Sequence, residues 1–325
     1  MSKKQIMQEI AGYRGPVILL TAVKEDLFPL FFDGKEPGFR EIAGKLGWTE
    51  RGTEIVLNAL CALGYLEKKG DRYGIAPLYQ QVFNASEYPL LKERLLHHWR
   101  LLNRWIHLDQ VVKTGKPVGE TDEDKVKANH DNFILSMAHG EKTHLPAMLQ
   151  AVSLENCRHL LDLGGGPGLF AIGFAEKYPG LRATVFDTPE TEPIARRFFE
   201  ASPARNRLDF KAGNFLTDPL GSGYDAALLS SILHIYNEAQ NLNLLKKVYE
   251  SLEDGGKIII REFLLNRKKT APLDAALFAV NMLVNTENGN AYSAEEIKSW
   301  LRATGFKKIQ RAGQRKTIDL LVAYK

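Results

Sequence analysis

Cysteine is nearly missing from this chain. Cys61 and Cys157 are the only two among 325 residues, and each sits among apolar neighbours. That excludes a disulfide framework and a cysteine-built metal site; a reducing, cytoplasmic setting without a bound metal is expected. Long hydrophobic runs are missing as well. No stretch approaches the roughly 18 apolar residues that a bilayer span requires, so no membrane association is expected. The apolar PVILLTAV of residues 16–23, behind Lys3 and Lys4, loosely imitates a secretory leader. A helix-like QIMQEI intervenes, however, and no small-residue cleavage site stands out, so it reads as a core helix. A dominant charge is the third absence: 43 Lys plus Arg against 39 Asp plus Glu leave +4, scattered rather than blocked. Such a balance gives no footprint for nucleic acid or anionic lipid.

What is present is an ordinary globular composition, 44% apolar, in a chain longer than one typical domain, so two domains are the default. Residues 1–85 read as short helices followed by a small β element. GFREIAGKLGW (38–48) and ERGTEIVLNALCALG (50–64) carry apolar residues at helical spacing, the second with Ile55, Val56, Leu57, Leu60 and Leu63 and a terminating Gly64. YLEKKGDRYGIA (65–76) reads as a hairpin turning at Gly70 and Asp71. Helix, turn, helix and β wing is the winged-helix order, whose second helix commonly enters a DNA groove. Here that helix offers Glu50, Arg51, Thr53, Glu54 and Asn58, a net negative face. Interaction or dimerisation is therefore the expected use, and no nucleic-acid partner.

Residues 86–150 read as a helical connector, aromatic at HHWRLLNRW and polar at GETDEDKVKANHDN. Across 151–325 the apolar runs HLLDL, RATVFD, LDFKAGNF, YDAALLSSIL and GGKIIIREFLL alternate with helical segments. That alternation predicts a doubly wound parallel sheet with ligands at the strand C-termini. FKKIQRAG and KTIDLLVAYK follow one another without a helix and should pair as an antiparallel hairpin. The expected fold class is α/β, a C-terminal Rossmann-like sheet with that terminal hairpin plus a mostly helical winged-helix domain.

The run HLLDLGGGPGLFAIG (159–173) falls where the first strand meets the first helix. Glycine there lets a ligand touch main chain, and free amides together with the helix dipole favour an anionic or polar group. Residues 166–171 fit the dinucleotide pattern G-x-G-x-x-A, whereas Gly164, Gly166 and Gly168 fit G-x-G-x-G behind the acidic Asp162. Asp187, ending the second strand, suits a ribose diol with either cofactor, and also suits an ordinary helix cap. After the third strand, Asn214 is a candidate amide partner and Phe215 a candidate wall for adenine, or core. A dinucleotide domain would continue with further parallel strands. The antiparallel end is instead what class I S-adenosylmethionine (SAM) methyltransferases carry.

In their order, DLGGGPG, FD, GNF, SSILHIYNE and GGKIIIREF, behind a winged-helix-like front, resemble the plant-type small-molecule O-methyltransferases and their bacterial relatives. The resemblance covers nearly the whole chain. It implies SAM as cofactor, bound by the glycine loop, Asp187, Asn214, Phe215 and Ser230. It also implies a homodimer held by the N-terminal domain and a largely apolar acceptor site lined by segments containing Phe133, Met137, Phe278, Asn281 and Met282. As bare sequence, such apolar stripes are more often core.

Methyl transfer to a hydroxyl needs alignment and a base. His234 is the histidine at a strand C-terminus; His159 begins the first strand, at the wrong edge. The family's His-Asp-Trp triplet is matched by His234, Ile235 and Tyr236. A phenol near pKa 10 loses its proton to a free imidazole near 6.5 at a cost of roughly 5 kcal/mol, which a carboxylate holding the ring offsets in part. Glu262, 28 residues after His234, stands where the family places its first supporting glutamate. Its alternative is a pairing with Arg261, and that of His234 a structural histidine near adenine. The family's second glutamate is replaced by Ala291, and Glu287 is the nearest carboxylate before it. Three readings follow: an O-methyltransferase of small hydroxyl compounds, a SAM-binding relative with altered chemistry such as hydroxylation, and a winged-helix regulator that senses SAM.

Overall fold

The computed structural model describes residues 2–117, 123–313 and 319–325, with residues 123–129 in backbone only. Part of the polar stretch 119–132 and the beginning of KTIDLLVAYK lie outside the described residues. Contacts divide the chain into two compact units, Met1–Arg100 and Leu101–Lys325.

The first unit contains α1 (Lys3–Ala11), α2 (Arg14–Lys24), α3 (Phe39–Leu46), α4 (Glu50–Ala62), the strands β1 (Leu66–Lys69) and β2 (Arg72–Ile75), and most of α5 (Tyr88–Trp105). The apolar run expected as a core helix is α2, which buries Leu20, Ala22 and Val23. The α4 N-terminus is capped by Thr49, whose Oγ1 accepts from Gly52 N at 3.1 Å. β1 and β2 pair antiparallel with Lys69 opposite Arg72, so the turn falls at Gly70 and Asp71. Of the α4 side chains that would face a nucleic acid, Thr53 is buried and Asn58 is consumed locally. Asn58 Oδ1 accepts from the hydroxyl of fully buried Tyr73 at 2.9 Å and from Lys68 at 3.0 Å.

The second unit runs α6 (Leu108–Thr114), α7 (Glu123–Ala151), β3 (His159–Leu163), α8 (Leu169–Lys177), β4 (Arg182–Asp187), α9 (Glu192–Glu200), β5 (Leu208–Ala212), β6 (Tyr224–Ser230), α10 (Glu238–Ser251), β7 (Leu252–Arg261), α11 (Leu273–Asn285), α12 (Ala294–Ala303), β8 (Lys307–Ala312) and β9 (Leu320–Tyr324). Seven strands form one sheet in the order β5-β4-β3-β6-β7-β9-β8. β5, β4, β3, β6 and β7 pair in parallel, whereas β9 is antiparallel to both β7 and β8. The parallel sheet and its terminal hairpin are those expected from the sequence.

Strand alternation builds a core on each face of this sheet. Leu161, Leu163, Ala227, Leu229, Ile258 and Ile260 join one cluster, with Leu244, Leu245 and Trp300 from the helices. Leu160, Ala183, Val185, Ala226, Leu228 and Ile259 join the other, with Phe170 and Phe174 of α8. Each such buried aromatic side chain contributes roughly 1.5–3 kcal/mol. The same parity sends Asp162 to the α8 face, a carboxylate in an otherwise apolar layer. The order in which strands are added reverses beside β3, with β4 on one side and β6 on the other, and such a switch point leaves a crevice at the strand C-termini.

Candidate active site

The loop after β3 turns sharply under α8. Gly164, Gly166 and Gly168 adopt positive φ of 67°, 52° and 79°, and Gly168 caps α8 from the left-handed region. At Gly164 the positive φ favours glycine, and a Cβ there would lie 2.2 Å from Ile232 Cδ1, so the tip of that side chain would have to shift. At Gly166 a Cβ would meet nothing within 4 Å, so the main chain there borders open space. Asp187 Oδ2 accepts from Gly166 N at 2.8 Å, and its Oδ1 accepts from Thr188 N at 2.7 Å. Burial raises the Asp187 carboxyl, opposed by these amides.

Asp162 is 1% exposed, and neither of its oxygens has a hydrogen-bond partner. Burial pushes its carboxyl up to about 7; the Ala171 amide in the first turn of α8 pulls it down in part without completing a hydrogen bond, and Asp187 adds to the rise. Phe215 is buried beside Gly164 and meets Phe186 and Tyr236 edge-on, so it belongs to the walls of this corner. Asn214, exposed after β5, accepts through Oδ1 from Leu216 N at 3.0 Å within its own turn. Ser230 ends β6 opposite Arg261 of β7 and is half-buried.

His234 and Glu262 meet at the ends of β6 and β7. His234 lies in the short turn Leu233–Ile235, 7% exposed, with Nδ1 2.8 Å from Glu262 Oε2. The other Glu262 oxygen accepts from Leu233 N at 2.8 Å and His234 N at 3.4 Å. A carboxylate accepts, so the contact assigns a proton to Nδ1, and a neutral imidazole in that tautomer has its lone pair on Nε2. Asn241, fully buried on α10, donates through Nδ2 to the carbonyls of Leu233 at 2.9 Å and Tyr236 at 3.0 Å. Asn290 N donates to the His234 carbonyl at 2.8 Å. The turn is thus pinned on three sides.

The imidazole borders an aromatic surface. Phe278 stands edge-on to it with ring centroids 4.7 Å apart, and Phe263 stacks on Phe278 at 3.9 Å. Ala291 is 1% exposed in an apolar cluster with Leu265, packed by Phe278, and Glu287 is exposed. Among the described residues, therefore, Glu262 is the one carboxylate bonded to His234. Asn281 Oδ1 accepts from Trp105 Nε1 at 3.0 Å and Asn285 Nδ2 at 3.1 Å, which fixes its amide. Met282 is buried, Met137 is half-buried and Phe133 is 41% exposed. Sequence reasoning missed Phe263, whose one signal was its place directly after Glu262. It also missed Trp105, Asn241 and Glu141, which stand outside any motif.

A parallel sheet closed by an antiparallel hairpin, with a glycine loop at its first crossover and a carboxylate ending the second strand, defines the class I methyltransferase architecture. Similarity to known proteins narrows the class. The O-methyltransferase domain family matches residues 112–307. The 3-hydroxy-5-methyl-1-naphthoate 3-O-methyltransferase of Streptomyces sahachiroi is 32% identical over 304 residues, covering 90% of this chain and 86% of that protein. The acetylserotonin O-methyltransferase of Bos taurus is 30% identical over 340 residues, covering 98% and 97%. Among solved structures, human N-acetylserotonin methyltransferase in complex with SAM superposes with a TM-score of 0.87 at 25% identity, covering 100% of this chain and 99% of that one. PigF with SAH gives 0.90 at 25% identity, with full coverage of both chains. The chain belongs to the O-methyltransferase family.

Proposed function

We propose that this protein moves a methyl group from SAM to a hydroxyl of a small aromatic or polyketide-like molecule, with His234 as general base and Glu262 as the group that holds it. The single observation that carries this reading is the 2.8 Å contact between His234 Nδ1 and Glu262 Oε2, which leaves Nε2 to accept a proton.

The residues at the switch point fit the cofactor. Main chain at Gly166 borders open space, Phe215 offers an aromatic wall, and Asp187 is a carboxylate of the kind that holds a ribose diol. Asp162, buried with both oxygens unpartnered, is a carboxyl beneath the loop whose ionised form would be relieved by a cationic ligand. Bound there, SAM supplies a methyl already activated as a sulfonium. The protein's share is alignment and one proton. His234 Nε2 takes the proton of the acceptor hydroxyl, and Glu262 holds the ring in one tautomer and stabilises the imidazolium that forms, the logic of a hydrolase triad. Phe278 and Phe263 exclude water from the ring edge and offer a flat surface for an aromatic acceptor. In this reading Phe133, Met137, Met282 and the fixed Asn281 amide are the further acceptor-side residues. The relatives named for a hydroxynaphthoate and for acetylserotonin support an acceptor of this size.

The first unit acts, in this reading, as a winged-helix homodimerisation module. α1 buries none of its own residues, and Ile6, Met7, Ile10 and Tyr13 are exposed. A cytoplasmic setting suits the free thiols of Cys61 and Cys157. No described helix is long and apolar enough to cross a membrane.

Calorimetry with SAM against NAD, followed by label transfer from methyl-labelled SAM to a panel of phenols and naphthols, tests the proposal. Binding of SAM and label in a phenolic product are expected. Binding of NAD alone removes the reading.

A further inference from the structure

Glu141 lies on α7, outside every motif, yet its carboxylate ends at the glycine loop. Its Oε2 accepts from Leu169 N, the first amide of α8, at 3.0 Å. Two more carboxylates share that corner. Asp162 lies beneath Gly165, where an added Cβ would sit 2.6 Å from Asp162 Cγ, and it has no hydrogen-bond partner although 1% exposed. Asp187 reaches the loop at Gly166 N. Burial and then the Asp162 charge push the Glu141 carboxyl well above the usual carboxylate range. Asp187 adds to that, while the Leu169 amide and the charge of Arg261 oppose it. Carboxylates of like sign crowded at one part-buried corner are costly when ionised, and a cation brought by the ligand relieves all of them at once.

We infer that Glu141 receives the α-ammonium group at the amino-acid end of the bound cofactor, with Asp162 behind it as a second negative charge. The inference rests on the SAM reading above and deepens it. An alternative role for Glu141 is purely to close the first turn of α8 from a neighbouring helix. The two roles separate by ligand. SAM and its demethylated product S-adenosylhomocysteine carry the ammonium, whereas 5′-methylthioadenosine has the nucleoside and sulfur without the amino-acid end.

The test is calorimetry on the whole protein, in wild type, Glu141→Gln and Glu141→Ala, with each of these three ligands. Glutamine keeps an oxygen for the Leu169 amide and removes the charge. SAM and S-adenosylhomocysteine should bind about ten- to hundred-fold more weakly to both variants, the range of a lost charge-assisted hydrogen bond. Methylthioadenosine should change by less than about two-fold, which also reports that the variants have folded. Equal weakening of all three ligands, or no weakening of any, overturns the inference. A wild type that binds none of the three overturns the cofactor reading itself, and this inference with it.

Discussion

Glu262 holds His234 at both ends of its carboxylate: Oε2 meets the ring Nδ1 at 2.8 Å, and Oε1 takes the Leu233 amide of the same turn at 2.8 Å. One side chain therefore fixes the ring and the backbone that carries it. Glu262→Gln keeps the shape and loses the charge that stabilises a protonated imidazole. Steady-state assays should show kcat reduced about ten- to hundred-fold with S-adenosylhomocysteine affinity unchanged. A variant with full kcat would mean that the carboxylate has only a structural part.

Asp162 gives the protein a pH signature. Its folded-state carboxyl is pushed up to about 7 from an ordinary value of 3.8. Between those values the folded protein keeps a proton that the unfolded chain has released, so this contribution to stability is present at low pH and lost as pH rises through about 7. Asp162→Asn abolishes the loss. Thermal melts of the ligand-free protein should show the variant gaining on wild type as pH rises from about 5 to 8. A constant difference in Tm across that range would contradict the burial of an ionisable Asp162.

Gly164 and Gly166 should respond differently to alanine. Both pay left-handed backbone strain of about 1–2 kcal/mol, but only at Gly164 would the new methyl meet another side chain, 2.2 Å from Ile232 Cδ1. Gly164→Ala is expected to cost about 1–3 kcal/mol more in denaturant unfolding, the range of overpacking. Gly166→Ala faces the open side of the loop, so its larger effect should be on SAM affinity.

The stacked pair Phe263 and Phe278 should act on the acceptor rather than the cofactor. Phe278→Ala removes the ring 4.7 Å from the imidazole and the support under Phe263. The KM for an aromatic hydroxyl acceptor should rise about five- to twenty-fold, in line with losing one aromatic contact and its buried area. Equal weakening of SAM would place the pair elsewhere in the reaction.

The parts of this arrangement legible in the sequence are those in which local chemistry decides the outcome. A glycine run between an apolar strand and a helix permits few conformations, and two closing strands without a helix can pair only as a hairpin. His234 and Glu262 were legible because each follows an apolar strand, and a parallel sheet aligns its strand ends. Side chains that arrive from elsewhere were not. Glu141 reaches the glycine loop because α7 packs on α8, and Trp105 reaches Asn281 across 176 positions, neither of which leaves a periodic trace.

The central claim is that the imidazole of His234 removes the acceptor's proton beside bound SAM. Single-turnover label transfer from methyl-labelled SAM to a naphthol, comparing wild type with His234→Ala at matched SAM occupancy, tests it most directly. The account predicts a rate lower by about a hundred-fold or more in the variant, with SAM bound as tightly as before. An unchanged transfer rate would contradict it.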